Sequence, residues 1–203
     1  MQFHLNATSI KARIAIFASG HGSNAVQIMG YFKSHREIQV TGVFTNNPDA
    51  GVIMLAKKFE VPCFVFNKAQ LKEGEVLKWL ADGQVTHLVL AGFLWLMPPD
   101  YIKAFPEHIL NIHPSLLPKF GGAGMFGARV HEAVKKAGEE LMGITIHQVN
   151  EVFDEGKILF QSRIRVNPHH TPLEMAHQVH QLEHASYPWV IEARIQHEKS
   201  KGK

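Results

Sequence analysis

Three groups of residues combine types and spacing that could do chemistry. The first is Ser19-Gly20-His21-Gly22-Ser23-Asn24, a glycine-bearing turn between an apolar run and a helical pattern. Such a turn faces backbone N–H groups and the positive end of a helix dipole outward, which suits a phosphate or carboxylate. Glycines also serve any tight strand-to-helix turn, so the loop alone names no ligand. The second group is Asn111 and His113 in Leu110-Asn111-Ile112-His113-Pro114. On a strand, a spacing of two puts an amide donor and an imidazole on one side, facing one small ligand group. The third is Asp154-Glu155-Gly156, carboxylates beside a glycine turn. If Asp154 reaches His113, it is expected to raise the imidazole pKa and fix its tautomer. An amide, an imidazolium and a carboxylate could then stabilise an oxyanion while protons move; polar turn residues would read the same way.

Two common nucleotide readings fail on the glycine loop. A dinucleotide fingerprint needs a third glycine and an acidic residue about 20 positions on, where this chain has Thr45-Asn46-Asn47. A phosphate-binding P-loop needs Gly-Lys-Ser/Thr, and no lysine follows these glycines.

These residues need elements to position them. Short apolar, β-branched runs at 13–18, 40–45, 61–66, 87–91, 109–112, 144–149 and 158–166 read as strands bounded by Gly, Pro, Asn or Asp. Patterns of period 3.6 at 23–35, 50–59, 68–82, 99–104, 128–137 and 171–197 read as helices between them. The last starts with Thr171-Pro172-Leu173-Glu174, a capping box with proline at the first helical position. Continuous apolar strands such as Leu88-Val89-Leu90-Ala91 suit a sheet covered on both faces. The alternation predicts an α/β fold with a single domain: an open, mostly parallel Rossmann-like sheet with an antiparallel edge toward the C-terminal end. In such sheets the ligand sits beyond the carboxyl ends of the strands, where all three groups fall. The expected division is an extension at 1–12, a catalytic domain at 13–197 and a flexible basic tail at 198–203.

The composition adds exclusions. Lys and Arg number 21 against 18 Asp and Glu, a formal charge of +3, of which three lysines and one glutamate at 198–203 supply +2. The body is nearly neutral and shows no basic run with interleaved aromatics, so nucleic-acid binding is not expected. No apolar stretch approaches the roughly 20 residues of a membrane-spanning helix. The lone Cys63 reads as a buried small hydrophobe, and without a secretory pattern at the start a reducing, cytoplasmic setting is expected. Asn6-Ala7-Thr8 matches a glycosylation acceptor that means little without such a signal.

With the Ser-Gly-x-Gly-Ser-Asn loop at 19–24, Leu90-Ala91-Gly92-Phe93, the Asn-x-His-Pro-x-Leu-Leu-Pro segment at 111–118, Asp154-Glu155-Gly156 and Glu183-His184-Ala185-x-Tyr187-Pro188, the chain resembles the phosphoribosylglycinamide formyltransferases. The resemblance runs in order from residue 13 to about 195. It implies the formyltransferase fold and transfer of a formyl group from 10-formyltetrahydrofolate to the glycyl amine of a ribose-phosphate substrate in purine synthesis. It also implies Asn111, His113 and Asp154 as the catalytic trio and Gly22, Ser23 and Asn24 as the phosphate grip. Glu183 would sit near the substrate amine. Leu94, Trp95, Leu96 and Met97, with Asn111, would hold the folate, and Lys68 would reach its tail. Two departures stand out: Trp95 where relatives often carry arginine, and a long glycine-rich loop at 120–127. Small-molecule substrates, a monomer or homodimer, and no metal are the corresponding expectations.

Rival readings are a formyltetrahydrofolate hydrolase, a methionyl-tRNA formyltransferase, a folate- or phosphosugar-binding protein without catalysis, and a metal-binding module. The first two would carry extra domains for which this length leaves no room, and a non-catalytic binder need not keep the trio together. For the metal module the best evidence is the 14 histidines, above all His177, His180 and His184 on one face of the last helix. They are expected instead to pack or solvate that face. His108 and His131 are expected at surface or cap positions, and His147, sharing a strand face with Val149, either approaches the site or packs in the core.

Overall fold

The computed structural model describes residues 10–201. Seven strands form one sheet in the order β3-β2-β1-β4-β5-β6-β7. The strands are β1 (Ala12–Phe17), β2 (Ile38–Thr45), β3 (Cys63–Val65), β4 (His87–Leu90), β5 (Ile109–His113), β6 (Leu141–Gln148) and β7 (Ile158–Arg165). The pairs from β3 through β5 are parallel, and β6 and β7 add on antiparallel. The mostly parallel sheet with an antiparallel edge is thus the fold the alternation predicts.

Seven helices cover the sheet: α1 (Ser23–Phe32), α2 (Val52–Lys58), α3 (Lys68–Lys72), α4 (Glu75–Asp82), α5 (Pro99–Ala104), α6 (Ala128–Lys136) and α7 (Pro172–Lys201). Alternation along β1 divides the core between the two faces. Ile14 and Ile16 join a cluster with residues of α1, α2, α6 and α7, while Ala15 and Phe17 join one with residues of α3, α4 and α5. Chain direction around the sheet reverses between β1 and β4, and the crevice outside their carboxyl ends is where an open α/β sheet binds ligands.

Three boundaries differ from the sequence reading for local reasons. The expected helix 68–82 splits into α3 and α4, because an Asn67–Gln70 capping box closes one short turn and Gly74, at φ +81°, turns the chain out of it. Ala12, assigned to the extension, opens β1. Most of the expected tail is helical, since α7 continues to Lys201, and Glu198 is half-buried and bonded to Arg194 and His87. Residues 202–203 of that tail and 1–9 of the extension, including Asn6-Ala7-Thr8, lie outside the described residues. Cys63 is half-buried instead of fully buried, with burial pushing its thiol pKa up. At the start of α7 the capping box forms: Thr171 N–H donates to Glu174 Oε2 at 2.7 Å and Glu174 N–H to Thr171 Oγ1 at 3.3 Å. Among the described residues no helix is long and apolar enough to cross a membrane.

Candidate active site

A cavity of about 960 Å³ opens beyond the carboxyl ends of β1, β4 and β5. It is lined by Gly22, Ser23, Asn24, Leu94, Trp95, Leu96, Met97, Asn111, His113, Asp154 and Glu183, which the fold brings together from five segments. Lys68, at the start of α3, is exposed and does not line it.

Strand register sets the floor. Phe17 pairs with Leu90, Leu90 with Asn111 and Asn111 with His147, so residues of four strands align in one row. Tyr187 of α7 fixes that row from below, its buried hydroxyl shared between Leu90 O at 3.0 Å and Leu110 O at 3.1 Å. Ser19 ties the two loops above together: its N–H donates to Gly92 O, its hydroxyl donates to Asn46 Oδ1 at 2.7 Å, and the same oxygen accepts Leu94 N–H at 3.1 Å.

The trio meets at Asp154. Its Oδ1 lies 3.5 Å from Asn111 Nδ2 and its Oδ2 lies 3.4 Å from His113 Nδ1 and accepts Gly122 N–H at 2.9 Å. His113 Nε2 lies 2.8 Å from Phe120 O. A carbonyl only accepts, so Nε2 carries hydrogen and Nδ1 is the nitrogen turned to Asp154 and the cavity. Phe120 and Asp154, which hold the two ends of this ring, both have left-handed backbones, φ +56° and +59°. Such strain costs on the order of 1 kcal/mol per residue and clusters where surrounding structure fixes a functional geometry.

The expected upward shift of the His113 pKa is overturned. His113 is 4% exposed, and burial lowers its pKa more than the Asp154 charge and the Phe120 carbonyl raise it. The free site therefore holds a neutral imidazole ready to take a proton at Nδ1. Burial also pushes Asp154 upward, but the imidazoles of His147 and His113 and the Gly122 N–H outweigh it, leaving the carboxyl below its usual range.

His147, left open by the sequence, belongs to the same cluster. Its Nδ1–H donates to Gln148 O at 2.8 Å, so its Nε2 accepts from Asn111 Nδ2 at 3.0 Å and holds the amide in place. His131, expected at the surface, is 2% exposed: with Val130 and Val134 it forms the inward face of α6 and reaches the cavity. The signal available was that apolar spacing on an amphipathic helix. His108, also expected outside, is half-buried against Glu198. On α7, His180 lines the cavity and stacks on His184 at 6.2 Å.

At the other end, α1 has no side-chain cap, so its first N–H groups face the cavity. Gly22 starts it at φ +80°, and a Cβ there would meet Val52 Cγ2 at 2.5 Å; only glycine fits. Asn24 Nδ2 donates to Glu183 Oε2 at 2.8 Å, while Asn24 Oδ1 and His131 Nδ1 are buried without a protein partner. Burial pushes the Glu183 carboxyl up to about 7, against the Asn24 hydrogen bond that lowers it. Trp95 packs edge-on against Phe66 and Phe93, and Leu94, Leu96, Phe126 and Val152 leave an exposed apolar collar at the mouth. One cavity thus collects the uncapped N–H groups of α1, an apolar lining and a cluster of imidazoles and carboxyls that can handle protons.

A formyl transferase family model matches residues 12–191. A chloroplastic phosphoribosylglycinamide formyltransferase of Arabidopsis thaliana is 40% identical over 190 residues, covering 90% of this chain and 65% of the relative. The chain thus spans slightly less than two thirds of that plant protein. A phosphoribosylglycinamide formyltransferase of Bacillus subtilis (strain 168) is 35% identical over 186 residues, 88% of this chain and 92% of the relative. Among solved structures, the phosphoribosylglycinamide formyltransferase from Anaplasma phagocytophilum superposes with a TM-score of 0.83 at 30% identity, covering 92% of this chain and 88% of that one.

Proposed function

The chain belongs to the formyl transferase family, and we propose that it formylates the glycyl amine of 5'-phosphoribosylglycinamide with 10-formyltetrahydrofolate. The observation that carries this reading is the convergence of Asn111, His113 and Asp154 in one cavity with the α1 amino terminus and the apolar residues Leu94 to Met97.

In this reading the ribose phosphate sits on the N–H groups at Gly22, Ser23 and Asn24, where helix dipole and hydrogen bonds act together. Asn24 Oδ1 accepts an N–H of the acceptor, and Glu183, ionised by the approach of the amine, orients it. Leu94, Trp95, Leu96 and Met97 receive the flat ring of the folate, with Trp95 supplying a stacking wall in place of a charge.

The amine nitrogen attacks the formyl carbon, and the C=O π pair moves onto oxygen. Asn111 Nδ2–H donates to that oxyanion, as does His113 Nδ1–H once the imidazole has taken a proton from solvent. Its negative charge restores the His113 pKa that burial lowers. Asp154 stabilises the imidazolium and relays the amine proton, through water, to N10 of the folate. The C–N10 bond then breaks, releasing formylated acceptor and tetrahydrofolate. No covalent enzyme intermediate is needed. The same reading takes the sheet and its helices, from Ala12 to Lys201, as the catalytic unit, acting on small molecules as a monomer or homodimer in a reducing, cytoplasmic compartment.

The test is formyl transfer measured with both substrates by following tetrahydrofolate release. Release that depends on the glycinamide acceptor supports the assignment. Release without it would point to the hydrolase instead.

A further inference from the structure

At the amino ends of β4 and β5, the edge of the sheet opposite the cavity, a second cluster converges. His87 opens β4, His108 immediately precedes β5, and Glu198 lies on α7. His87 Nε2 is 2.9 Å and His108 Nε2 is 3.4 Å from the same oxygen, Glu198 Oε2. The two rings stack with centroids 4.6 Å apart. Among the described residues, this is the one group of three or more His, Cys, Asp or Glu whose ligand atoms all lie within 4.8 Å of one another. The histidine row on α7 does not converge in that way.

The partners behind these groups determine what their inner atoms offer. Thr86 Oγ1 accepts Arg13 N–H at 2.9 Å, lies 3.2 Å from Arg13 O and 2.7 Å from His87 Nδ1. A hydroxyl has one hydrogen. With it on Arg13 O, the Thr86 oxygen accepts from His87 Nδ1–H and His87 Nε2 offers a lone pair; with it on the nearer His87 Nδ1, Nε2–H donates to Glu198 Oε2, and a metal ion would take the place of that hydrogen. Arg194 Nε holds the other carboxylate oxygen, Glu198 Oε1, at 2.8 Å, turning Oε2 inward. Arg194 is in turn paired with Glu107 at 3.0 Å.

We propose that His87, His108 and Glu198 form a divalent metal site of the zinc class, with a structural role apart from the active site. Two imidazoles and one carboxylate match the donors that zinc takes and that magnesium and calcium do not. Bonds of about 2.1 Å in a tetrahedron separate ligand atoms by about 3.4 Å. The two His–Glu separations, 2.9 and 3.4 Å, lie near that value, so the ion needs the two imidazoles to draw together and little else. The side chain of His87 is 7% exposed and that of His108 38%, so the remaining position opens to water on the His108 side. Thr86 and Arg194 orient the ligands from behind, as ligand-holding groups do in built metal sites. The ion would clamp the end of α7 to β4 and β5, joining residues 111 positions apart. Because it binds only the folded arrangement, it would add stability in proportion to its occupancy.

The test uses the full chain, stripped with a chelator and equilibrated with zinc chloride. Metal content and melting temperature are then measured for the wild type and for His108→Ala and Glu198→Gln, both at partly exposed positions. Retention of about one zinc per chain, a higher melting temperature with zinc, and affinity weakened about tenfold or more in each variant would support the site. Formyl transfer should be unchanged in both variants. Failure to retain zinc would overturn the proposal, leaving His87 and Glu198 joined by a hydrogen bond alone. Undiminished zinc binding in both variants would overturn it too, placing the ion elsewhere, such as on the cavity histidines.

Discussion

Asn24 Nδ2 donates to Glu183 Oε2 at 2.8 Å, joining the first turn of α1 to α7 across 159 residues of sequence. The bond joins the uncapped start of α1 to a carboxyl that burial pushes up to about 7. An amine delivered beside that carboxyl meets a group that ionises on its arrival.

Glu183→Gln keeps an acceptor for Asn24 and removes the charge. The KM for the amine substrate is expected to rise about tenfold, the loss of one charge-assisted hydrogen bond, with the folate KM little changed. Stability separates the role further. The folded pKa of about 7 lies above the ordinary 4.5, so the folded state binds more protons between those values and loses stability as pH rises through them. The variant should therefore gain on the wild type as pH is raised from 4.5 to 8 in urea titrations. A constant difference across that range would contradict the buried titration.

In the proposed mechanism Asp154 stabilises the His113 imidazolium and also relays the amine proton. His113→Ala should lower kcat by about 10²- to 10⁴-fold, the range for a positioned proton-handling group, and Asp154→Asn by a similar order. Because Asp154 works in part through His113, the double variant should lose less than the product of the two single losses. Losses that multiply in steady-state kinetics would show two independent roles.

The sequence made some of this legible and not the rest. Period two placed Asn111 and His113 on one side of β5, and both do meet Asp154. Unbroken apolar strands announced a sheet covered twice, as the two clusters confirm. What stayed hidden depended on partners far along the chain. The part of His147 comes from its pairing opposite Asn111, beside a register shift at Ile146/His147. The sign of the His113 shift depends on how thoroughly the loop at 120–127 and α6 cover it. Glu198 read as a solvated tail charge because its anchor, His87, is 111 residues away.

His131 should make the fold acid-sensitive. Burial first, and then the positive charges of His180 and His113, push its pKa from 6.5 down to about 4. Between those values the unfolded chain binds a proton that the folded chain refuses, so stability falls as pH drops from 6.5 toward 4. His131→Gln removes this proton linkage. Its stability relative to wild type should rise with falling pH over that window, by at most about 1.4 kcal/mol per pH unit. Parallel stability curves for the two proteins would show that His131 does not titrate in this way.

Gly156 controls where Asp154 sits. A Cβ at Gly156 would lie 1.7 Å from Gln148 O, which already accepts the Nδ1–H of His147, so no rotamer relieves the clash and the backbone has to move. Gly156→Ala should push the loop off β6, disturbing the hydrogen bond that orients His147 and displacing Asp154 two residues earlier. A shift of about 1 Å in a catalytic group can cost on the order of 10²-fold in kcat, and overpacking costs about 1–3 kcal/mol of stability. The proposed phosphate grip lies on α1, so acceptor affinity measured by calorimetry should change far less than kcat. A folded Gly156→Ala protein with wild-type kcat would mean that transfer does not depend on the position this turn gives Asp154.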